Sequence, residues 1–92
     1  MNRNIIKIRS KLDKLDNLFL NLIKKRTQLV DQVLKNKSYK KDIIDKKRIK
    51  SILKNIKKKS RAKKIDPLIS VAIWKHMIKA YINYEFRNFK KK

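Results

Sequence analysis

An all-α fold is predicted by three features of this 92-residue sequence: it has no glycine, it has one proline, and its apolar residues recur in steps of three and four. Strands joined by tight hairpins normally need turn residues that this chain lacks. The chain has no cysteine and one histidine, so we expect neither disulfides nor a metal site. We predict a three-helix protomer in one domain, residues 1–92, without a cofactor and with a disordered tail at 90–92.

The first predicted helix extends from about residue 5 to about residue 37. Two cations, Arg26 and Lys37, fall in its apolar stripe, whose other members are Ile5, Ile8, Leu12, Leu15, Phe19, Leu22, Leu29 and Val33. Burying an unpaired cation costs several kcal/mol, so these positions indicate a bound anion or a partner carboxylate. The alternatives are a snorkelling or aspartate-paired Arg26 and a Lys37 that only solvates the end of the helix.

Two shorter helices follow the long one. The segment Ser38–Ile44 breaks the apolar pattern and predicts a loop, after which Asp45 is a suitable N-cap for the second helix. We expect this helix to fray in the basic run Lys57–Lys64. Asp66 is then predicted to cap the third helix. Pro67 follows it at the first helical position, where proline is favoured.

Glu85 is the only glutamate of the chain and lies on the apolar face of the third helix. The neighbouring positions on that face are Val71, Trp74, Ile78 and Tyr81. One interpretation is an ion pair with Arg26 or Lys37 inside the bundle. The functional interpretation makes Glu85 a hydrogen-bonding group that faces a ligand.

No arrangement typical of covalent or acid–base catalysis is present in the sequence. It has no Ser/His/Asp pattern, no glycine-rich phosphate loop and no paired carboxylates on one helix face. A reaction here would depend on cations and hydrogen bonds. A pericyclic rearrangement of a dianion meets that condition, since positioned charges hold the reactive conformer and stabilise charge on a breaking ether oxygen.

The formal net charge of +22 predicts non-specific attraction to nucleic acid or acidic lipid. Lysine outnumbers arginine, and isoleucine and asparagine are also abundant. A coding bias towards these residues therefore explains the charge better than a surface designed to bind polyanions. A basic nucleic-acid-binding helical module is the alternative from another class, but it leaves Arg26 and Glu85 on apolar faces unexplained. The sequence shows no secretory signal and no membrane-spanning run, so we expect a cytoplasmic protein without a membrane partner.

The segment that begins at Ile8, IRSKLDKLDNLFLNLIKKR, closely resembles the opening of the all-helical chorismate mutases. The likeness continues through Val33, Lys37, the stretch Ile43–Arg48 and the pair Ile65–Asp66. It implies an intertwined homodimer with two active sites, and a first helix too long for the other two to cover also favours a dimer. It further implies the cofactor-free Claisen rearrangement of chorismate to prephenate, a step of the shikimate pathway to aromatic amino acids.

The resemblance also implies roles for individual residues. Arg26, Lys37 and Glu85 would be catalytic: Arg26 binds a carboxylate, Lys37 donates to the ether oxygen and a carboxylate, and Glu85 contacts the ether oxygen. Arg9 would reach into the partner's site and bind the other carboxylate. The remaining implied substrate-binding residues are Asp45, Arg48, Ile49 and Tyr81. Because a glutamate donates a hydrogen bond only when it is protonated, we expect faster turnover at mildly acidic pH.

Two positions depart from the chorismate mutase pattern. The family usually has a glutamate after the Arg48 position, where it accepts a hydrogen bond from the substrate hydroxyl, whereas this chain has Ile49. It often has a serine where this chain has Tyr81. Both departures, with the short Lys37–Arg48 spacing, resemble the isochorismate pyruvate lyases of salicylate formation. We therefore expect chorismate mutase activity, with isochorismate pyruvate lyase activity as the alternative.

Overall fold

Three α-helices and one short 3-10 helix make up the computed structural model, which describes residues 2–90. The α-helices are α1 (Arg3–Lys35), α2 (Lys46–Ala62) and α3 (Pro67–Asn88), and the 3-10 helix covers Lys40–Asp42 between α1 and α2. No strand occurs within residues 2–90, so the predicted all-α class is confirmed. The predicted tail disorder stays a prediction: Lys90 is exposed beyond α3, and residues 91 and 92 lie outside the described part of the chain.

The C-terminal end of α1 comes slightly earlier than predicted, at Lys35. Lys37 therefore follows the helix instead of belonging to it. Its N–H donates to the carbonyl of Leu34 at 3.1 Å, a step of three residues that tightens the chain as the helix ends. The Lys37 side chain consequently projects from the start of the connection between α1 and α2.

The N-terminal end of α2 is built as predicted, but its C-terminal half is not. The Asp45 side chain accepts a hydrogen bond from the Arg48 N–H at 3.0 Å, which confirms Asp45 as the N-cap. The predicted fraying in the basic run is wrong, because α2 continues without interruption to Ala62. Lysine is a good helix former, and each like-charge pair on a helix costs only a few tenths of a kcal/mol.

The turn between α2 and α3 is short and tightly bonded. Lys64 has a φ of 58°, in the left-handed region that commonly ends helices, and the Ile65 N–H donates to the Ser60 carbonyl at 2.8 Å. Asp66 caps α3 by accepting from the Leu68 N–H at 2.9 Å, with Pro67 in the first turn, so both predicted start signals are confirmed.

Two buried serines join α2 to α3 in this hairpin. Ser60 and Ser70 are joined through their hydroxyl oxygens at 2.5 Å, and the Ser60 hydroxyl also contacts the Ile56 carbonyl at 2.6 Å. Both side chains are less than a tenth exposed. Their hydroxyl groups are therefore satisfied inside the hairpin, as buried polar groups must be.

The chain divides into two compact units, one ending at Val33 and the other beginning at Leu34. In the first unit the apolar side chains of α1 are exposed; Phe19, for example, keeps 55% of its surface accessible. In the second unit α2 and α3 pack together, and the buried positions include Leu34, Ile43 and Glu85. Within residues 2–90, no helix is both long and apolar enough to cross a membrane. The single-domain organisation stays a prediction.

Candidate active site

A salt bridge joins Lys37 to Glu85 within the second unit. The Lys37 Nζ lies 3.0 Å from Glu85 Oε1, and the two side chains are 19% and 9% exposed. The same ammonium group donates to the carbonyl oxygen of Ile43 at 3.4 Å. The largely buried Glu85 carboxylate is thus paired with a cation, and that cation also has a second hydrogen-bond acceptor. An ion pair can be buried only when its charges are compensated and hydrogen-bonded in this way.

Glu85 reaches the interior because its position continues the apolar stripe of α3. Tyr81 lies one helical turn earlier and is half-buried, so the two residues share one face of the helix. The Tyr81 and Tyr84 rings are 6.3 Å apart in an edge-to-face arrangement at 83°. The Glu85 side chain is 9% exposed, so water has little access to its carboxylate, which strengthens the interaction with Lys37.

Lys37 is oriented by the loop that follows α1. Ile43 is the most deeply buried residue described there, at 3% exposure, and its side chain anchors the loop to the second unit. This anchor holds the Ile43 carbonyl within reach of the Lys37 ammonium. The sequence placed Ile43 in a loop and did not predict this contact, because a backbone carbonyl contact leaves no signal in the residue type.

The structure decides between two of the alternatives left by the sequence. Lys37 does not simply solvate the end of α1, since its side chain is paired with Glu85. The ion pair considered for Glu85 is formed, and its partner is Lys37. The sequence signal that found both residues was the same: a charged side chain in the register of an apolar stripe.

Asp45 caps the start of α2, and Arg48 and Ile49 lie near that start. The Asp45 carboxylate serves as the helix cap, and the Arg48 side chain is exposed. Ile49 is half-buried at the position where the resemblance would place a glutamate. A shallow depression of the surface adjoins this turn and is lined by Lys41, Asp42, Ile44, Asp45 and Lys46. The substrate-binding roles of these residues stay predictions.

Arg9 and Arg26 both lie on α1 in the first unit. Arg9 is exposed and Arg26 is half-buried. The group that the structure brings together in the second unit is the Lys37 ammonium, the Glu85 carboxylate and the Ile43 carbonyl. The roles predicted for the two arginines remain predictions.

Chemically, the group around Lys37 provides a directed hydrogen-bond donor and a neighbouring carboxyl in a poorly solvated place. Such a donor stabilises negative charge that develops on an oxygen atom, and it needs no nucleophile. The structure therefore defines an all-helical protein with a long first helix and a largely buried Lys37–Glu85 ion pair.

A family model described as chorismate mutase type II matches residues 8–86, so the chain belongs to that family. The match spans all three α-helices, including both partners of the Lys37–Glu85 pair. Comparison with curated proteins and with solved structures gave no significant match. Family membership supports activity of the chorismate mutase type, and it confirms the resemblance carried by the first helix.

Proposed function

We propose that this protein is a cytoplasmic chorismate mutase that converts chorismate to prephenate for aromatic amino acid biosynthesis. The family match supports the reaction type. The observation that carries the proposal is the Lys37–Glu85 contact of 3.0 Å, which directs an ammonium group beside a carboxyl in a largely buried position. An ether oxygen that gains negative charge as its bond to carbon breaks is the group that such a donor stabilises.

The proposed mechanism assigns binding to the arginines and bond-breaking assistance to Lys37. In the rearrangement the ether C–O bond breaks while a C–C bond forms, and no proton or redox equivalent is exchanged. Arg26 and Arg9 hold the two carboxylates, because guanidinium groups bind carboxylates in a fixed bidentate geometry. Holding the side chain of chorismate over its ring supplies the reactive conformer, and Lys37 donates to the ether oxygen.

The Lys37–Glu85 pair also sets the charge balance of the proposed site. An ionised Glu85 cancels the charge of Lys37, so the pair offers a dianion no net attraction. The two carboxylates of the substrate must therefore be met by arginines. A neutral hydrogen-bonding group at position 85 would leave the Lys37 charge uncompensated and would supply a second donor to the ether oxygen. Glu85→Gln should mimic that state and bind a dianionic inhibitor more tightly than the native chain at neutral pH.

We further propose a homodimer in which a second copy covers α1 and supplies Arg9. Its support is the exposed apolar row of α1, where Leu15, Phe19 and Leu22 are each more than half exposed. A row of this length is normally buried against a partner. Sedimentation should give twice the mass of the chain, and Phe19→Asp should produce monomers without activity. A native chain that sediments as a monomer and turns over substrate would contradict the dimer.

Isochorismate pyruvate lyase activity is the second candidate, and the observation that favours it is Ile49. This half-buried side chain offers no acceptor for the hydroxyl group of chorismate. Isochorismate carries its hydroxyl elsewhere on the ring. An apolar residue at position 49 therefore loses less binding free energy with isochorismate than with chorismate. The same cations would then assist cleavage of the ether C–O bond while a ring hydrogen passes to the methylene carbon of the enolpyruvyl group, which gives salicylate and pyruvate.

The deciding experiment offers chorismate and isochorismate separately to the purified protein. Prephenate from chorismate as the faster reaction supports the first proposal. Faster release of salicylate and pyruvate from isochorismate reverses the order. Lys37→Met serves as the matched inactive variant for both substrates, since it removes the donor but keeps the length of the side chain. Turnover that survives in Lys37→Met would contradict both candidates.

A further inference from the structure

The solvent-facing side of α2 carries cations at every position of one continuous arc. At 100° per residue, seven side chains fall within about 120° of the helix circumference, and no other residue type occupies that arc. These residues, here called the α2 cationic face, are Lys46, Lys47, Lys50, Lys54, Lys57, Lys58 and Arg61. All seven are exposed. The arrangement is therefore a surface with a single charge sign.

No acidic residue occurs within α2 itself. The sequence from 46 to 64 contains eleven lysines and arginines and no aspartate or glutamate. Within residues 2–90, none of the seven side chains of the α2 cationic face forms an ion pair. Unbalanced cations on a rigid helix repel one another, and a polyanion that binds them relieves this repulsion and releases its own counterions.

We propose that the α2 cationic face binds the phosphate backbone of double-stranded nucleic acid without reading its sequence. The face extends about 22 Å along the helix, from Lys46 to Arg61. One strand of a duplex presents about six or seven phosphates over the same length, so the charges match in linear density. Six of the seven cations are lysines, which bind phosphates as point charges and are poorly suited to bidentate reading of bases.

The structure argues against other polyanions as the partner. An amphipathic helix that binds membranes inserts an apolar face, but the apolar residues of α2 pack towards α3, and Ile52, Leu53 and Ile56 are half-buried. Large exposed apolar residues are absent from α2, so a protein partner would find no anchor on this face. Single-stranded nucleic acid is bound through aromatic stacking, and α2 has no aromatic residue.

The chain offers a matched control for the test, because Lys7, Lys11 and Lys14 of α1 have the same spacing as Lys50, Lys54 and Lys57 of α2. All six are exposed lysines on helices, and none has a predicted role in the active site. Replacing either set by glutamine removes the same charge from the same kind of position. A difference in binding between the two triple variants therefore shows that the location of the charge matters, because both variants lose the same total charge.

The experiment measures binding to a labelled DNA duplex of about 20 base pairs at salt concentrations from about 0.05 to about 0.2 M. The native chain should bind with a steep salt dependence. Lys50→Gln/Lys54→Gln/Lys57→Gln should reduce the slope of log K against log salt by about 3 and weaken binding about a hundredfold near 0.1 M. The α1 control variant should keep the native slope to within about 1, and replacement of the three α2 lysines by arginine should restore it.

Several outcomes would overturn the inference. Equal losses in the two triple variants would assign the binding to net charge alone. Absence of native binding at about 0.1 M salt, or tighter binding to phosphatidylserine vesicles or single strands than to the duplex, would contradict the proposed partner. Circular dichroism checks that each variant keeps its helix content. The binding assay needs no chorismate, so its failure is distinguishable from failure of the proposed enzyme activity, which the α2 variants should retain.

Discussion

Replacing either partner of the Lys37–Glu85 pair should lower the free energy of unfolding. Replacing both should lower it by less than the sum of the two single losses. At 3.0 Å the gross attraction between the charges is about 5 kcal/mol for an effective dielectric constant near 20. Loss of hydration offsets most of this attraction, which leaves a net coupling of about 2 kcal/mol. We expect Lys37→Met to cost about 3 kcal/mol, because it strands a carboxylate that is only 9% exposed.

Glu85→Leu should cost less, about 1 to 2 kcal/mol, because the Lys37 side chain is 19% exposed and its ammonium can turn to water. The assay is urea unfolding followed by circular dichroism at one fixed protein concentration, since subunit association would contribute to the stability. Lys40→Met, in the exposed part of the same loop, is the control and should stay within about 0.5 kcal/mol of the native chain. A coupling below about 0.5 kcal/mol, or a larger loss for Glu85→Leu than for Lys37→Met, would refute the reasoning.

Three further predictions address the site and the fold. Arg26→Ala should lower kcat/KM by a factor of at least about 150, which corresponds to about 3 kcal/mol of transition-state stabilisation, with unchanged helix content. Near-native turnover would contradict the proposal that Arg26 binds a substrate carboxylate. Glu85→Gln should keep or raise the turnover rate, because a carboxamide can donate a hydrogen bond to the ether oxygen whereas a carboxylate can only accept one; a turnover rate well below that of the native chain would refute the donor role of position 85. Ser60→Ala should destabilise the α2–α3 hairpin by about 1 kcal/mol in urea unfolding, because it leaves the Ser70 hydroxyl with a poorer partner, whereas no loss would show that the serine contact is dispensable.

The starts of α2 and α3 were predictable because their signals are local, whereas α1 begins at Arg3, slightly before the predicted residue 5. Asp45 and Asp66 cap through bonds to N–H groups two or three residues ahead, so the neighbouring sequence is sufficient to find them. The end of α1 and the persistence of α2 were less predictable. Repulsion among lysines suggested fraying in α2, but helix propensity and packing against α3 outweigh it.

The candidate site could be predicted only in part, for reasons of distance along the chain. Position within a stripe identified Lys37 and Glu85 as unusual, yet two cations were possible partners for one carboxylate. Choosing Lys37 required the loop geometry that brings residues 48 positions apart into contact. The Ile43 carbonyl was not predictable at all, because every residue has one and only the folded loop selects which carbonyl faces the ammonium.

Lysine is so abundant in this chain that the lysine count says little about the role of any one residue. The environment of each lysine has to distinguish these roles. With 29 lysines and arginines, a net charge of +22 predicts general attraction to anions and no site. Lys37 differs from the others by its register in an apolar stripe and by a carboxylate 3.0 Å away, which mark it as a paired and largely buried charge. Lys50 and Lys54 differ by the absence of any acidic neighbour on α2, which points to an extended anion in solvent. One composition is thus compatible with both proposed anion-binding modes, because burial favours a paired charge and exposure permits an unpaired row.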